Sequence, residues 1–272
     1  MSHKLLQGKR GIIFGALDPN SIAWHVAEKA FAAGATFTLT NAPIALRMGQ
    51  INELAKSCNT IVIGADATSD EDLRKLFTES EAHLGGKIDF VLHSIGMSLN
   101  VRKGKHYTEM DYDFFHKGLD ISAISFHRVM RAAIDTNTLN EGASILALTY
   151  IAAQRVFPDY NDMADAKALL ESIARSFGYH LGKSKKIRVN TISQSPTRTT
   201  AGSGVKGFDG FLDYADKISP LGNAPADACA DYCVVMFSDL TRMVTMQNLF
   251  HDGGFSFTGV SQEVIDMMKP NE

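Results

Sequence analysis

The sequence predicts an α/β fold built on a doubly wound parallel sheet that is flanked by helices. Short apolar runs alternate with longer amphipathic runs along the whole chain, which is the pattern of strands that are joined by covering helices. With 272 residues, 45% of them hydrophobic, the chain can bury one large core. We therefore expect a single Rossmann-type, dinucleotide-binding domain over residues 1–272 with a seven-stranded parallel sheet.

The elements follow from the apolar periodicity. Seven short apolar runs are predicted to be strands, and they cover residues 11–14, 36–40, 60–63, 90–93, 144–148, 189–192 and 248–251. The segments between them have the helical period, and they cover residues 22–33, 46–55, 70–83, 112–136, 162–181 and 227–237. No linker or internal repeat interrupts this order.

Composition narrows the class of partner. The net charge is −3 and the pI is about 6.3, so the chain has little attraction for nucleic acid or an anionic membrane. It contains no apolar run of the roughly 20 residues that a membrane helix needs, and no signal-peptide pattern. Cys229 and Cys233 lie one helical turn apart and are interpreted as packed thiols, with no metal site. A cytoplasmic protein is expected.

One long segment breaks the alternation. Residues 193–225 are rich in Gly, Ser, Thr and Pro, yet they contain Phe208, Phe211 and Tyr214, which a purely solvated linker would not favour. The segment follows the carboxyl end of a strand, where open α/β sheets bind ligands. It is predicted to be a mobile substrate-binding lid, and a static loop is the alternative.

The first strand ends in a turn that suits a dinucleotide. Gly15 lets the backbone approach a ligand closely, and the following helix begins near Ser21, where exposed N–H groups favour a pyrophosphate. The Ser21 hydroxyl could cap that helix or reach the phosphates. Because the G-x-G-x-x-G motif is absent, an ordinary capped turn remains an equal alternative for this stretch alone.

Two further strand ends carry small or polar residues. Asp66, just after the third strand, could bond an adenine amino group or cap the helix that begins near Asp70. The fourth strand ends in His93, followed by the small-residue turn 94–96; His93 is expected to be a buried, satisfied histidine. After the second strand no acidic residue is present to bind free ribose hydroxyls. Equally, no Arg or Lys lies at the strand end to bind a 2′-phosphate, and Arg47 is the nearest basic residue. This pattern favours NADH, with NADPH possible.

Tyr160 and Lys167 carry the predicted chemistry. Seven residues nearly complete two helical turns, so both side chains can face one cleft. Hydride addition to the β-carbon of an unsaturated thioester places charge on the thioester oxygen, to which a phenol can donate a hydrogen bond. A lysine can hold the nicotinamide ribose. Taken singly, Tyr160 could be a half-buried aromatic at a helix start and Lys167 part of a solvated helix face.

Nearly the whole chain resembles the enoyl-acyl-carrier-protein reductases of bacterial type II fatty-acid synthesis, a divergent short-chain dehydrogenase/reductase family. The most specific matches are residues 21–23, 93–96 and 188–190, together with Tyr150, Tyr160 and Lys167. Short-chain dehydrogenases have Tyr-x3-Lys, but here Met163 occupies the place of that tyrosine. The tyrosine stands one turn earlier, at Tyr160, which separates enoyl from keto reduction.

The resemblance implies roles for named residues. Tyr160 would assist the enolate, Lys167 would hold the ribose, and Tyr150 matches a second active-site tyrosine. It also implies an enoyl thioester on acyl-carrier protein as substrate and a homotetramer. The implied cofactor positions are Gly15, Ser21, Ile22, Ala42, Asp66, Ala67, Ser94, Ile95, Gly96, Lys167, Thr197, Arg198, Thr199, Thr200 and Ala201, and the substrate positions are Ser98, Tyr150, Tyr160, Met163 and Phe208.

The chain also departs from the family pattern. It reads Gln194-Ser195-Pro196-Thr197 where the family often has Ala-Gly-Pro-Ile, and Ala42 replaces a polar residue near the adenosine ribose. Asp162 and Asp165 make the helix start acidic; capping and dipole roles are expected, or a polar network that reaches the cleft. A ketoreductase, which would need Tyr at 163 and Ser near 147, and a non-catalytic dinucleotide sensor are the competing functions.

Overall fold

A computed structural model describes residues 4–47, 49–200, 202 and 207–269. Six parallel strands form one sheet in the order β2-β1-β3-β4-β5-β6 within these residues. The strands are β1 (Arg10–Phe14), β2 (Thr36–Thr40), β3 (Ile88–His93), β4 (Leu139–Thr149), β5 (Arg188–Gln194) and β6 (Asn248–His251). The predicted α/β class and the doubly wound parallel sheet are confirmed.

The prediction of a seventh strand at residues 60–63 is wrong. This segment lies beside β2, where a seventh strand would lie, but it pairs only through an isolated parallel bridge between Leu39 and Val62. Leu39 donates to the Ile61 carbonyl at 3.0 Å and accepts from the Ile63 N–H at 2.9 Å. The next bond to this side of the sheet comes from the Ala65 N–H, beyond the exposed Gly64, so the pairing is interrupted and no continuous strand forms.

The helices cover both faces of the sheet. They are α1 (Ile22–Ala32), α2 (Pro43–Leu46), α3 (Ile51–Ser57), α4 (Asp70–Leu84), α5 (Leu99–Arg102), α6 (Tyr112–Leu119), α7 (Ser125–Asp135), α8 (Asp162–Lys185), α9 (Phe208–Ile218), α10 (Ala226–Phe237) and α11 (Gln262–Met267). The predicted helix 112–136 is divided by a wide π-helical turn, Asp120–Ile124.

Two apolar cores lie between sheet and helices. Apolar side chains of α1, α3 and α10 pack on one face, and those of α4, α7 and α8 pack on the other. Cys229 and Cys233 are fully buried free thiols in the first core, as predicted. No helix among the described residues is long and apolar enough to cross a membrane.

The strand order reverses between β1 and β3. The chain leaves β1 for β2 on one side and later returns to β3 on the other side, so the carboxyl ends of β1 and β3 open a crevice at the sheet edge. Open α/β sheets bind ligands at such a switch point. The candidate site is therefore expected where Gly15 and Ser94 follow their strands.

Candidate active site at the carboxyl edge of the sheet

The switch point is closed tightly by Gly15. Its φ of +92° is in the left-handed region, and a Cβ there would lie 2.0 Å from the Ser94 carbonyl oxygen. Only glycine therefore fits this junction. The backbone after β1 and that after β3 are therefore in close contact at the switch point.

The Ser21 hydroxyl neither caps α1 nor points away from the turn. It donates to the Asp18 carbonyl oxygen at 2.6 Å, and α1 begins without a side-chain cap. The Asp18 carboxylate in turn accepts a hydrogen bond from the Thr200 hydroxyl. This bond joins the turn after β1 to the segment after β5, so two of the predicted cofactor stretches meet at one place.

The segment after β5 is folded on itself. The Thr197 hydroxyl donates to the Ser195 carbonyl at 2.9 Å, and the Thr199 hydroxyl accepts from the Gly202 N–H at 2.9 Å. Arg198 forms an ion pair with Asp209 at 2.6 Å, and both side chains are exposed. Ala201, the last predicted residue of this stretch, lies outside the described residues.

The end of β2 and the segment 60–67 form the far side of the crevice. The Asn41 side-chain oxygen accepts from the Ala42 N–H at 3.0 Å, and the Asn41 carbonyl accepts from the Ala65 N–H at 3.1 Å. Asp66 does not cap α4, because Ser69 does so by accepting from the Asp72 N–H. Asp66 is exposed and accepts from the N–H and hydroxyl of Thr68.

Lys167 reaches the same edge from the second turn of α8. It is 7% exposed, and its ammonium donates to the Leu148 carbonyl at the end of β4, at 2.8 Å. Burial lowers the pKa of Lys167 to about 8. A Cβ on Gly96 would lie 3.7 Å from its Nζ atom, so the ammonium faces the turn after β3.

Tyr160 lies directly before α8 and beside Tyr150. The two ring centroids are 5.2 Å apart, and Phe157 packs on Tyr150 at 5.3 Å. Burial raises the pKa of both phenols above its ordinary value, so they are hydrogen-bond donors at neutral pH. The Tyr150 hydroxyl is buried and has no hydrogen-bond partner among the described residues.

Met163 fills the space between α8 and the turn after β3. It is buried, its sulfur is 3.7 Å from the Ser122 hydroxyl, and its methyl group would lie 3.3 Å from a Cβ on Gly96. The Ser122 hydroxyl accepts from the Met97 N–H and donates to the Met97 carbonyl. An apolar thioether therefore stands beside Lys167, and the phenol stands one turn earlier.

Comparisons with known proteins agree with this arrangement. Residues 15–256 match a family model described as enoyl-(acyl carrier protein) reductase. An enoyl-[acyl-carrier-protein] reductase [NADH] of Rhizobium meliloti is 35% identical over 258 residues, which is 94% of this chain and 93% of that protein. The chain belongs to the enoyl-acyl-carrier-protein reductase family.

Solved structures give the same result. A FabI–NADH complex from Alistipes finegoldii is 59% identical, with a TM-score of 0.96 over 99% of this chain and 94% of that chain. A Bacillus cereus enoyl-acyl-carrier-protein reductase, solved with NADP+ and an indole naphthyridinone, is 34% identical with a TM-score of 0.88 over 94% and 99%.

The first residue of α8 belongs to a buried polar network. Asp162, the first residue of α8, accepts from the Ser98 hydroxyl at 2.5 Å and from the Asn100 amide at 2.9 Å. Asn100 also binds the backbone of Asp111 through both its side-chain atoms. The open alternative of a polar network thus describes Asp162 better than a simple cap, and Asp165 accepts from the exposed Tyr107 hydroxyl. The Ser98 hydroxyl, predicted to contact substrate, is engaged by Asp162.

The predicted lid segment contains a helix. Residues 193–225 include the end of β5 and the eleven residues of α9, so the segment is less irregular than its composition suggests. Phe208 lies against Gly202, whereas Phe211 packs on Phe157 at 5.1 Å and on Tyr150 at 6.3 Å. A cavity of about 360 Å³ lies beside these rings, lined mainly by Ile151, Val156, Pro158, Tyr214, Ile218 and Phe255.

Sequence reasoning missed two buried polar groups. Asn100 gave no signal because it lies in a short helix that no periodicity marks. Glu171 did carry a signal, since it stands four residues after Lys167 on α8, but a lone carboxylate on a long helix is usually solvated.

His93 is predicted to be a buried histidine whose ring nitrogens both have hydrogen-bond partners. Its Nε2 bonds Ser125 at 2.9 Å, but its buried Nδ1 has no partner among the described residues.

Proposed function

We propose that this reductase uses NADH to reduce the carbon–carbon double bond of trans-2-enoyl-acyl-carrier-protein thioesters, the last reductive step of each elongation cycle of fatty-acid synthesis. The observation that carries the proposal is the arrangement of Tyr160, Met163 and Lys167 at the carboxyl edge of the sheet. Membership of the enoyl-acyl-carrier-protein reductase family supports it.

The residues at the switch point fit a dinucleotide. Gly15 leaves no Cβ above the junction of β1 and β3, and the Lys167 ammonium faces the small residue Gly96. Gly15, Ser21, Ile22, Ser94, Ile95 and residues 197–201 would hold the pyrophosphate and nicotinamide halves, and Ala42, Asp66 and Ala67 the adenosine half. NADH, when bound, supplies the hydride.

Tyr160 and Lys167 have separate tasks in this proposal. Addition of hydride at the β-carbon moves an electron pair onto the thioester oxygen. The neutral Tyr160 hydroxyl donates a hydrogen bond to that oxygen as its charge develops. Lys167 donates to the nicotinamide ribose, and its positive charge also favours the anionic transition state. Tyr150, Met163, Ser98 and Phe208 would lie along the substrate.

Several finer points belong to the same proposal. NADH is favoured because the curated relatives carry it in their names, although the Bacillus cereus structure contains NADP+. The homotetramer that the family resemblance implies is also part of the proposal, and the exposed large apolar side chains of Phe257, Met267 and Met268 are suited to a subunit interface. A cytoplasmic location and a lid at about residues 193–225 complete it.

A paired substrate assay tests the reaction. Crotonyl and acetoacetyl thioesters would be offered with NADH and, separately, with NADPH, and oxidation of the nucleotide would be followed. We expect crotonyl reduction with NADH as the faster donor. Efficient acetoacetyl reduction without crotonyl reduction would establish the ketoreductase alternative instead, and binding of NADH without turnover of either thioester would favour the dinucleotide sensor.

A further inference from the structure

Lys167 has a buried ammonium whose direct partner is a neutral group. Its hydrogen bond goes to the Leu148 carbonyl, which carries only a partial negative charge. Withdrawal from water disfavours the protonated form, and burial is the largest cause that lowers the pKa of this lysine. A lysine that must stay positive in such a place needs a negative charge nearby.

Glu171 supplies a carboxylate one helical turn further along α8. It is 4% exposed and accepts from the Thr149 hydroxyl at 2.9 Å, the Asn248 amide at 3.1 Å and the Gln154 amide at 3.1 Å. These three donors are uncharged and come from β4, β6 and the turn after residues 151–153. Burial raises the pKa of Glu171, and the hydrogen bonds from Gln154 and Thr149 oppose that effect because they stabilise the ionised carboxylate. The three donors orient the carboxylate and carry no charge that would cancel its own.

Lys167 and Glu171 of α8 both form hydrogen bonds with the carboxyl end of β4. The lysine binds the carbonyl of Leu148, and the glutamate binds the side chain of the next residue, Thr149, directly before Tyr150. Side chains four residues apart lie on one face of a helix, so the two charges are neighbours.

Few other titratable groups act on this pair. His93 of β3 faces Lys167, and burial lowers the pKa of that histidine to about 3, so it is neutral near pH 7. Arg175 of α8 faces Glu171 from the exposed side of the helix. Within the part of the chain that the structure describes, Glu171 is therefore the group that can balance the Lys167 charge.

We infer that Glu171 is the buried counter-charge that keeps Lys167 protonated, and is thereby a positioning residue for the nicotinamide ribose. This inference rests on the proposed function, because it takes the binding of NADH by Lys167 as given. It assigns an electrostatic task to a residue outside the contact surface of substrate and cofactor.

The test is the pH dependence of NADH affinity in the full-length enzyme, measured between pH 6.5 and 10 by nucleotide fluorescence. Affinity of the unmodified enzyme should fall as Lys167 loses its proton near pH 8. In E171Q the midpoint should move to lower pH by on the order of half a unit or more, which is about threefold on the alkaline limb.

Two controls separate charge from packing. T149V removes a hydrogen bond to Glu171 but keeps the carboxylate, and E53Q removes one charge from the exposed face of α3. Both should keep the midpoint of the unmodified enzyme. A folded E171Q enzyme with an unshifted midpoint, or a shift of equal size in T149V, would overturn the inference.

A stability cycle is a second test, and it also decides the case in which E171Q does not fold. Each of K167M and E171Q leaves one buried charge unbalanced, whereas the double variant removes both. The double variant should therefore unfold at higher urea than the singles predict, or fold where E171Q alone does not. Additive losses would overturn the inference. If the unmodified enzyme fails to bind NADH at any pH, the proposed function has failed, a result that is distinct from an unshifted midpoint.

Discussion

The phenol rings of Tyr150 and Tyr160 lie with their centroids 5.2 Å apart and their planes inclined by 56°. Tyr150 directly follows β4, and Tyr160 lies just before α8. Their ring contact therefore links the end of this strand to the start of this helix. Their surroundings differ, because the Tyr150 hydroxyl is fully buried and unpaired among the described residues. The two tyrosines should therefore respond differently to loss of the hydroxyl.

Tyr160→Phe should lower turnover while NADH binding stays the same. A hydrogen bond to a developing charge is worth roughly 1.5–3 kcal/mol, which predicts a kcat about ten- to a hundredfold lower. Steady-state kinetics on enoyl thioesters of increasing length measures this, with Tyr179→Phe on the exposed side of α8 as the control. Unchanged kcat for every chain length would remove Tyr160 from the reaction.

Tyr150→Phe should leave the free energy of unfolding unchanged or raise it by about 1 kcal/mol. The substitution removes a buried hydroxyl that has no partner among the described residues, so no hydrogen bond is lost and a desolvation penalty is relieved. Urea unfolding of the free enzyme measures it. A clear loss of stability would mean that the hydroxyl is hydrogen-bonded in solution.

Acid should destabilise the enzyme through His93. Burial lowers its folded-state pKa to about 3, so below pH 6.5 the unfolded chain binds a proton that the native state does not. As the pH drops below 6.5, the free energy of unfolding should decrease, by up to about 1.4 kcal/mol per pH unit from this one group. His93→Gln should flatten the slope measured by urea unfolding from pH 6.5 to 4.5. His180→Asn, on the exposed side of α8, should not.

Gly15→Ala should destabilise the fold and abolish tight NADH binding. The new Cβ would collide with the Ser94 carbonyl oxygen, and the left-handed backbone adds strain of about 1–3 kcal/mol. Calorimetric unfolding and NADH titration report the two effects. Gly210→Ala is the matched control: it lies in α9 with open space around its Cβ position and should be neutral or slightly stabilising. A Gly15→Ala protein with normal NADH affinity would contradict the role of this junction.

The segment 193–225 should gain hydrogen-exchange protection when NADH and a long-chain enoyl substrate or inhibitor are bound. A hydrogen bond from Thr200 to Asp18 connects the segment to the turn after β1. Within the segment, the ion pair between Arg198 and Asp209 is exposed and therefore adds little stability. Mass spectrometry of peptides from α9, compared with peptides from β4, measures the change. Identical uptake with and without ligands would favour the static loop.

Periodicity was sufficient for most of the fold. Strands such as 90–93 and helices such as 70–83 are long or strongly patterned, and the structure places them within a few residues of the prediction. Residues 60–63 have the composition of a strand, but they pair with the edge strand β2 through one isolated bridge, and whether a short segment extends a sheet edge depends on its contacts in the fold. That is a tertiary property, which the local sequence does not contain.

The residues of the candidate site also differ in whether the local sequence identifies them. Tyr160 and Lys167 could be paired from their spacing because a helix fixes the angle between them. The partners of Asp162 lie more than sixty residues away in a segment without periodic pattern, so no local rule identifies Ser98 and Asn100 as its donors. Whether a carboxylate such as Glu171 is buried depends likewise on which strands its helix covers.

Met163 has a consequence for how this enzyme could change its reaction during evolution. Its thioether fits between Gly96 and Ser122, and the longer, rigid phenol of a tyrosine would meet both. Ala147, where a ketoreductase would need a serine, is fully buried in β4. A shift to carbonyl reduction would thus require coordinated changes on three elements, β4, α8 and the π-helical turn. A single substitution on such a route is expected to leave neither arrangement complete, so enoyl reduction should be lost before carbonyl reduction is gained.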